Sequence, residues 1–578
     1  MARRARLVVA AAAAVTLGIA GCGSPSSNSD KSKAEGGKIE TATQTIDAAA
    51  KGPAEEIPGA KKGGTVTVYQ LSTVTTIDPT DTYYVDANEI GKLLYRTPTT
   101  YDIRNGQPVL VPDLTDLGTA SADGLTWTFK LQPNIKYHDG TPIKVEDLAY
   151  AIKRSFAHDV YSNGPTYQMS YFKDGDKYKG PYADKGPYSG VETQGTDTLI
   201  IHLKQPFSDL PFYMTFPMFT PIPEAKDTKQ EYQLKPMATG PYQVESYSVG
   251  SELKLVKNTN WDPNTDPVRH QYLDSVVFKW GQEDVKTQQQ VLNSNGEDAN
   301  AINTFNIDAT LVPQLTGKES QLLQGASPCT RAWSIDTRKV PLEVRKALAV
   351  AWPYDGVWKA NGYNPYTAER ASTIMPPSVP GYTKYTPAEG LSGEGAGDPA
   401  KAKQMLEAAG KSGFEISWYF DNQKTVPQQV ANTIATALNA AGFKAKPIGI
   451  PSADLRKKGG DYDAPVNFGQ TPRGWCSDWP TGNSWFPVLF RSQSVEEGQS
   501  WGMLQDKALD EEINALTKLP SSESTAKWGA LDKKIMDMYV AIPMTYEKTA
   551  VVFGKNVGMI QNDPTMGFPF LPDLHLKS

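Results

Sequence analysis

A strand, a helix and a second strand follow one another in the stretch that reads, from Phe414 to Ile450, FEISWYFDNQKTVPQQVANTIATALNAAGFKAKPIGI. Apolar side chains occupy every second position at its start, which is the period of a strand, and these residues are Phe414, Ile416, Trp418 and Phe420. Residues 427–441 have the length and composition of a helix, and residues 443–450 again resemble a strand. This order predicts parallel strands joined by a right-handed crossover, and therefore an open α/β lobe.

Downstream of this lobe, aromatic residues crowd into the stretch Arg473-Gly474-Trp475-Cys476-Ser477-Asp478-Trp479-Pro480. Its Gly and Pro residues oppose a long helix. Aromatic faces offer stacking area, and a carboxylate among them holds a cation more strongly than one in water does. The stretch is thus a candidate binding surface. A Trp-rich loop that fills a core seam, with Asp478 capping a turn, fits the composition equally well.

The length and charge of the chain bound its architecture and its partners. At 578 residues the chain is too long for a single hydrophobic core, which predicts roughly two to four domains. A net charge of -6 and a pI near 5.6 provide no basic field for a polyanion, so we expect no nucleic-acid partner.

The N-terminus has the pattern of an exported, lipid-anchored protein. Arginines precede an apolar run over residues 7–20, which has the length of a signal-peptide core and is too short to span a bilayer. The run ends in Ile19-Ala20-Gly21-Cys22, which resembles the lipobox of bacterial lipoproteins. We therefore predict a signal peptide over 1–21, a lipidated Cys22, and a flexible polar tether over 22–62.

Two further cysteines, Cys329 and Cys476, would lie outside the cell on this interpretation. A disulfide is the usual state of two cysteines in an oxidising place, and it would close a loop of 476 − 329 + 1 = 148 residues. Two buried free thiols are the alternative.

The N-terminal half of the body is richer in strands than in helices. Residues 65–69 resemble a strand, and the turn Asp123-Gly124 leads into Leu125, Trp127, Phe129 and Leu131, which alternate with polar residues. A helix follows near Thr141-Pro142, with Val145, Leu148 and Ile152 on one face, and another strand covers 199–203. This region is predicted to be an α+β unit.

Seven landmarks in order along the chain are similar to those of a known family. They are Gly63-Gly64-Thr65, Ile77-Asp78-Pro79, the stretch 123–131, His138-Asp139-Gly140-Thr141-Pro142 with Glu146-Asp147-Leu148, Thr239-Gly240-Pro241-Tyr242, Val344-Arg345-Lys346-Ala347-Leu348 and the Trp475 region. Over residues 62–550 the chain resembles the family 5 extracellular solute-binding proteins, the dipeptide, oligopeptide and nickel receptors of ABC importers.

The resemblance implies two α/β lobes joined by a hinge, a periplasmic-binding-protein-like fold, with an extra α+β domain inserted in the first lobe. It places lobe I in the three segments 63–93, 215–328 and 545–578. The insert covers 94–214, and lobe II covers 329–544. The ligand would be enclosed between the lobes, and the closed form would be offered to a membrane permease.

Within the family, Gly474-Trp475-Cys476-Ser477-Asp478 looks like the oligopeptide-binding subgroup. The resemblance implies that Asp478 holds the α-ammonium of a peptide and that the cysteine pairs with Cys329. It also implies that the backbone of Gly474 to Cys476 pairs with the peptide like an added strand, and that Trp475 and Trp479 contact it. The continuation Trp479-Pro480-Thr481-Gly482-Asn483 departs from the subgroup's pattern.

The implied partners are an oligopeptide, an ABC permease with its ATPase subunits, and the membrane through the lipid anchor. We expect a monomer on the outer face of the bacterial cytoplasmic membrane. Alternatives on the same fold are an oligosaccharide stacked on Trp475, Trp479, Trp485 and Trp501, a cationic or metal-chelate ligand, or a peptide sensor that does not transport. Asp478 favours the peptide, because a neutral sugar has no cation to place against it.

Enzyme signatures are incomplete in this sequence. Ser170-Tyr171-Phe172-Lys173 matches an SxxK motif without its usual partner motifs, and Gly410-Lys411-Ser412 lacks the first glycine of a phosphate-binding loop. The five histidines show no metal-ligand spacing. We therefore expect no catalytic activity, no cofactor and no metal.

Overall fold

The structure, a computed structural model, describes residues 38–459, 461–469, 473–495, 500–558 and 560–578. The predicted signal peptide and the predicted lipidation site, Cys22, lie outside these residues. Buried apolar side chains form several separate clusters, as expected for a chain of this length. No helix in the described part is long and apolar enough to cross a membrane.

The first lobe contains a five-stranded sheet, in the order Tyr242–Ser248, Glu252–Lys257, Ser275–Lys279, Thr65–Tyr69 and Ala301–Asn303. Neighbouring strands among the first three are antiparallel, whereas the fourth is parallel to both of its neighbours. The helices Val85–Leu94 and Asp284–Asn293 pack against this sheet. Val66 and Val68 are fully buried in its core, which confirms the strand predicted at residues 65–69.

A four-stranded antiparallel sheet forms the predicted insert, in the order Thr119–Ala120, Thr126–Lys130, Thr198–His202 and Val191–Gln194. Trp127 and Phe129 are buried between more exposed neighbours, which confirms the alternation predicted there. The helix Val145–Arg154 packs on the sheet, and the other elements nearby are Thr99–Arg104, Gln107–Pro112, Tyr167–Tyr171 and Leu210–Tyr213. The apolar cluster of this unit continues past residue 214 to Met237.

The second lobe is built around a strand–helix–strand unit. Glu415–Asp421 and Lys444–Ile450 are parallel neighbours, and the helix Thr425–Ala440 connects them, as predicted from the sequence. The other helices of this lobe are Leu342–Ala351, Tyr354–Ala360, Pro399–Ala408, Ser452–Gly459, Phe486–Phe490, Lys507–Thr517 and Ser521–Met536.

Two long strands, Leu322–Ser334 and Ala541–Val552, pass from one lobe to the other as an antiparallel pair. Leu323 lies in the core of the first lobe, and Trp333 lies in the core of the second. The register of the pair shifts between Ala326 and Thr330, close to the predicted lobe boundary. These crossing strands connect the lobes directly, so a hinge motion would be absorbed along them.

Residues 38–62 lie along the body of the protein, which differs from the flexible tether predicted for this segment. Thr45–Ile46 pairs in parallel with Gln107–Pro112, and Ala60–Lys61 pairs with Leu576–Lys577. Backbone groups make these contacts, and they are available to a polar sequence as readily as to an apolar one. Composition alone therefore missed them.

Candidate ligand-binding site

The Trp-rich stretch begins as an edge strand. Arg473–Cys476 pairs antiparallel with Leu322–Ser334, at the end of a sheet ordered Ala368–Arg370, Ala541–Val552, Leu322–Ser334 and Arg473–Cys476. A disulfide joins Cys476 to the residue opposite, Cys329, which confirms the predicted bond. Within the described ranges, no strand pairs with the outer edge of Arg473–Cys476. An extended ligand can therefore hydrogen-bond there.

Asp478 lies where three parts of the chain meet. Tyr83, from the first lobe, donates its hydroxyl to Oδ1 at 2.8 Å, and Tyr167, from the insert, donates to Oδ2. Among the described residues, the groups that lower the pKa of this carboxyl are these two tyrosine hydroxyls. Among the described residues, Asp478 is thus held only by neutral hydrogen-bond donors. Its side chain is partly exposed.

The protonation states of this trio follow from their burial. Burial raises the pKa of Asp478 to about 6, and the two tyrosine hydroxyls oppose the rise. Burial and the nearby carboxylate raise the pKa values of Tyr83 and Tyr167 well above their ordinary range, so both remain donors at neutral pH. Near pH 7 Asp478 is therefore mainly ionised and can accept a further hydrogen bond, for which a cationic donor is the strongest partner.

A cavity of about 960 Å³ adjoins this carboxylate through its two tyrosines. Tyr83, Tyr167 and Trp475 lie on its wall, together with residues of the insert and of the second lobe. Trp475 is half-buried, and its Nε1 donates to the carbonyl oxygen of Ser484 at 2.8 Å, which fixes the ring. The volume is at the upper end of the range for small-ligand pockets, so a short peptide can be accommodated.

Trp479 lies in the aromatic core of the insert instead of on the cavity wall, which corrects the prediction that it contacts the ligand. The residue is 1% exposed, and its ring packs against Tyr167 and Phe207 with centroid distances of 4.9 and 5.7 Å. The sequence interpretation treated neighbouring tryptophans as one surface. The chain turns after Asp478, however, and directs Trp475 and Trp479 into different environments.

Asp209 of the insert binds the segment that follows Asp478. Its Oδ2 accepts hydrogen bonds from Trp479 Nε1 at 2.8 Å, from Thr481 Oγ1, and from Asn483 Nδ2 at 3.0 Å. Asp209 is fully buried, and burial raises its pKa while these hydrogen bonds oppose the rise. The segment that departs from the subgroup's pattern thus supplies three donors to one carboxylate, and it ties the second lobe to the insert.

The chain matches a known family over most of its length. The family model described as bacterial extracellular solute-binding proteins, family 5 Middle, matches residues 109–496. The chain belongs to this family. Members of the family bind solutes and are not enzymes, so the prediction that the chain is not an enzyme is confirmed.

Curated relatives of this family 5 protein are similar over nearly their whole length. The glutathione-binding protein GsiB of Escherichia coli (strain K12) is 26% identical over 523 residues, which cover 86% of this chain and 92% of GsiB. GsiB of Shigella flexneri is 26% identical over 524 residues, with the same coverage of both chains.

Solved structures of similar shape confirm the two-lobe periplasmic-binding fold. Clavulanic acid biosynthesis oligopeptide binding protein 2 superposes with a TM-score of 0.81 at 23% identity, covering 92% of this chain and 100% of that one. DppA from Helicobacter pylori, in complex with peptide STSA, has a TM-score of 0.68 at 18% identity, covering 90% of this chain and 99% of that one.

Sequence reasoning missed three residues that shape the site of this family 5 protein. Tyr83, Tyr167 and Asp209 come from separate parts of the chain, and each contacts the stretch after Cys476 only in the folded state. A lone tyrosine or aspartate carries no spacing signal. Tyr83 is the nearest to a landmark, a few residues after Ile77-Asp78-Pro79, but nothing in that motif points to Asp478.

Among the described residues, one cluster of potential metal ligands includes a residue of the edge strand. Atoms of Cys329, Cys476 and Glu547 lie within 4.8 Å of one another. The two cysteines are joined in a disulfide, whereas a metal binds the thiolate. The cluster is therefore unsuited to hold a metal while the bond is intact.

Proposed function

We propose that this protein captures short peptides as the substrate-binding component of an ABC importer, with the peptide α-ammonium on Asp478. The observation that carries the proposal is the ionised carboxylate of Asp478, held by two tyrosine hydroxyls and adjoining a cavity of about 960 Å³. An α-ammonium supplies the charged donors that such a carboxylate accepts. The names of the relatives, a glutathione-binding and an oligopeptide-binding protein, support the same ligand class.

The edge strand provides the second half of the proposed site. A peptide lying along Gly474 to Cys476 would extend the sheet by one strand, so that backbone hydrogen bonds provide affinity without selecting side chains. A Cβ atom at Gly474 would lie 2.8 Å from Cδ of Arg331 on the neighbouring strand, so a larger residue there would force that side chain to move. The disulfide between Cys329 and Cys476 fixes the position of the edge strand in the sheet.

Closure of the lobes would complete the site. Asp478 belongs to the second lobe, whereas its partners Tyr83 and Tyr167 come from the first lobe and the insert. A ligand that touches all three gains its full contact energy only in the closed form, so binding shifts the population toward closure. The closed form would then deliver the peptide to the permease, with the protein acting as a monomer anchored through a lipid on Cys22.

The oligosaccharide alternative loses most of its proposed stacking surface. Trp479, Trp485 and Trp501 are each no more than 1% exposed, so a sugar ring cannot stack on them. Of the four tryptophans considered, only Trp475 lies on the cavity wall. This burial favours the peptide over the sugar.

Calorimetry with a mixed peptide digest and with glutathione tests the proposal. We expect Asp478→Ala to weaken peptide binding at least tenfold, because the ammonium anchor is lost, and to change the melting temperature by no more than about 3 °C. The control is Asp197→Ala, which removes an exposed carboxylate paired with Lys130 and is expected to keep full affinity. An unchanged affinity of Asp478→Ala would refute the anchor, and uptake that persists after deletion of the protein would favour a peptide sensor.

A further inference from the structure

The wall of the cavity is positively charged, although the whole chain carries a net charge of -6. Lys204, Arg491 and Lys518 line it, together with His158. No aspartate or glutamate is among the described residues on this wall. The carboxylate of Asp478, held by Tyr83 and Tyr167, therefore borders a wall whose described charged side chains are all basic.

Arg491 is the cation best placed to bind a ligand directly. It follows the helix Phe486–Phe490, it is half-buried, and its guanidinium lies close enough to the Tyr171 hydroxyl to oppose the burial that raises the pKa of Tyr171. Its Nε is buried without a hydrogen-bond partner, and no carboxylate of the described residues lies on the cavity wall beside it. A carboxylate of the ligand can satisfy the fork of such a guanidinium with two parallel hydrogen bonds.

Lys204 and Lys518 contribute mainly through the electrostatic field. Lys204 is exposed and lies 3.9 Å from the Asp176 carboxylate, which compensates its charge only loosely. Lys518 is exposed and directly follows the helix Lys507–Thr517. Exposed cations at the mouth of a cleft attract anions and raise their association rate, and salt screens this attraction.

We infer that the preferred ligand is a short peptide with at least one acidic side chain in addition to its C-terminal carboxylate. This inference rests on the proposed function, because it assumes the ammonium on Asp478. An ordinary peptide brings one ammonium and one carboxylate, which leaves the cavity with a net positive charge. An acidic side chain reduces this excess, and Arg491 offers it a partly buried partner.

Matched peptide pools test the inference on the whole protein. One pool contains peptides of three to five residues with two glutamates, and the other has glutamine at the same places, so length and shape are conserved. We expect the acidic pool to bind at least tenfold more tightly by calorimetry at low salt, and the difference to shrink as salt is added. Equal affinity for the two pools would overturn the inference and leave the proposed function standing, whereas binding of neither pool would overturn both.

Variants of the cationic wall locate the origin of the preference. Arg491→Gln should weaken binding of the acidic pool several-fold more than binding of the neutral pool. Arg491→Lys should keep part of the preference for the acidic pool. Lys518→Ala should reduce the association rate of the acidic pool. Lys507→Ala, at the opposite end of the same helix, is the control and should behave like the unmodified protein. A preference that survives Arg491→Gln unchanged would refute the role of Arg491.

Discussion

The two halves of the Trp-rich stretch have opposite roles in the structure. Residues 474–478 form an edge strand and its continuation, partly exposed next to the cavity, with Trp475 on the cavity wall. Residues 479–485 are buried, with Trp479 in the core of the insert and Trp485 in the core of the second lobe. Both halves carry tryptophan, so residue type alone does not separate ligand contact from core packing.

The carboxylates that serve the two halves differ in the same way. Asp209 is fully buried, and three donors from a single segment converge on one of its oxygens. Asp478 is only partly buried and accepts from two tyrosines that belong to different parts of the chain. The first arrangement is suited to holding lobe and insert together. The second leaves an acceptor that a ligand can use.

We expect the largest effects from replacing the two tryptophans, Trp479 and Trp475, one in each half of the stretch. Trp479→Ala should destabilise the protein by about 3–5 kcal/mol, because it leaves a large cavity in an aromatic core. Trp475→Ala should cost far less stability and should instead weaken peptide binding. Chemical denaturation and calorimetry of the two variants measure both effects, and equal losses of stability would contradict the division between the halves.

Reduction of the disulfide should destabilise the protein by about 2–4 kcal/mol, because it releases a constraint between residues 147 positions apart. The same treatment should weaken peptide binding, since Cys476 belongs to the edge strand. Thermal melting and peptide titration with and without reductant measure the two effects. The double variant Cys329→Ser and Cys476→Ser should match the reduced protein and should no longer respond to reductant. A response that persists in the double variant would place the effect elsewhere.

Removal of the Asp209 carboxylate tests whether this residue stabilises the fold, in contrast to Asp478. Asp209→Ala leaves three buried donors without their acceptor, and we expect a loss of about 2–4 kcal/mol in the free energy of unfolding. Asp209→Asn keeps an acceptor oxygen and should lose less. If Asp209→Ala unfolded at the same denaturant concentration as the parent protein, the three hydrogen bonds would have no stabilising role.

Ligand affinity should depend on pH through Asp478. Its pKa of about 6 means that roughly a tenth of the carboxyl remains ionised at pH 5, so a cationic ligand should bind about tenfold more weakly there than at pH 7.5. His158 also lines the cavity, so the control is Asp478→Asn, in which this dependence should disappear. A wild-type affinity that is constant between these pH values would contradict the assignment.

The same pKa predicts a small effect on the stability of the free protein. Because the folded-state pKa of about 6 exceeds the ordinary value of 3.8, the folded protein binds this proton more tightly than the unfolded chain does. Stability therefore falls as the pH rises through this window. Asp478→Asn should remove that loss and raise the melting temperature of the free protein by about 1–3 °C at pH 7.5, but not at pH 4. If the melting temperatures of Asp478→Asn and the unmodified protein differed by the same amount at pH 4 and pH 7.5, this linkage would be excluded.

Local sequence patterns predicted much of the fold and part of the site. The alternation around Trp127 and Phe129 and the strand–helix–strand unit from Phe414 to Ile450 specify their own structure, because period and length distinguish a strand from a helix. Two cysteines in a chain with the sequence pattern of an exported protein predicted the disulfide. Backbone pairing of residues 38–62 could not be predicted, since it depends on which sheet edges are left open in the folded body.

By itself, the sequence determined the class of each lobe, the family, and the presence of a carboxylate in an aromatic stretch. Only the tertiary structure decided what surrounds that carboxylate: Tyr83 and Tyr167 as its donors, Trp479 in the core, and Arg491 on the cavity wall. Residues that are close along the chain form one helix or strand, and its type follows from the spacing of its apolar residues and from their helix or strand propensity. Residues far apart are brought together by packing between lobes, and the burial and charge that result are properties of the assembled fold.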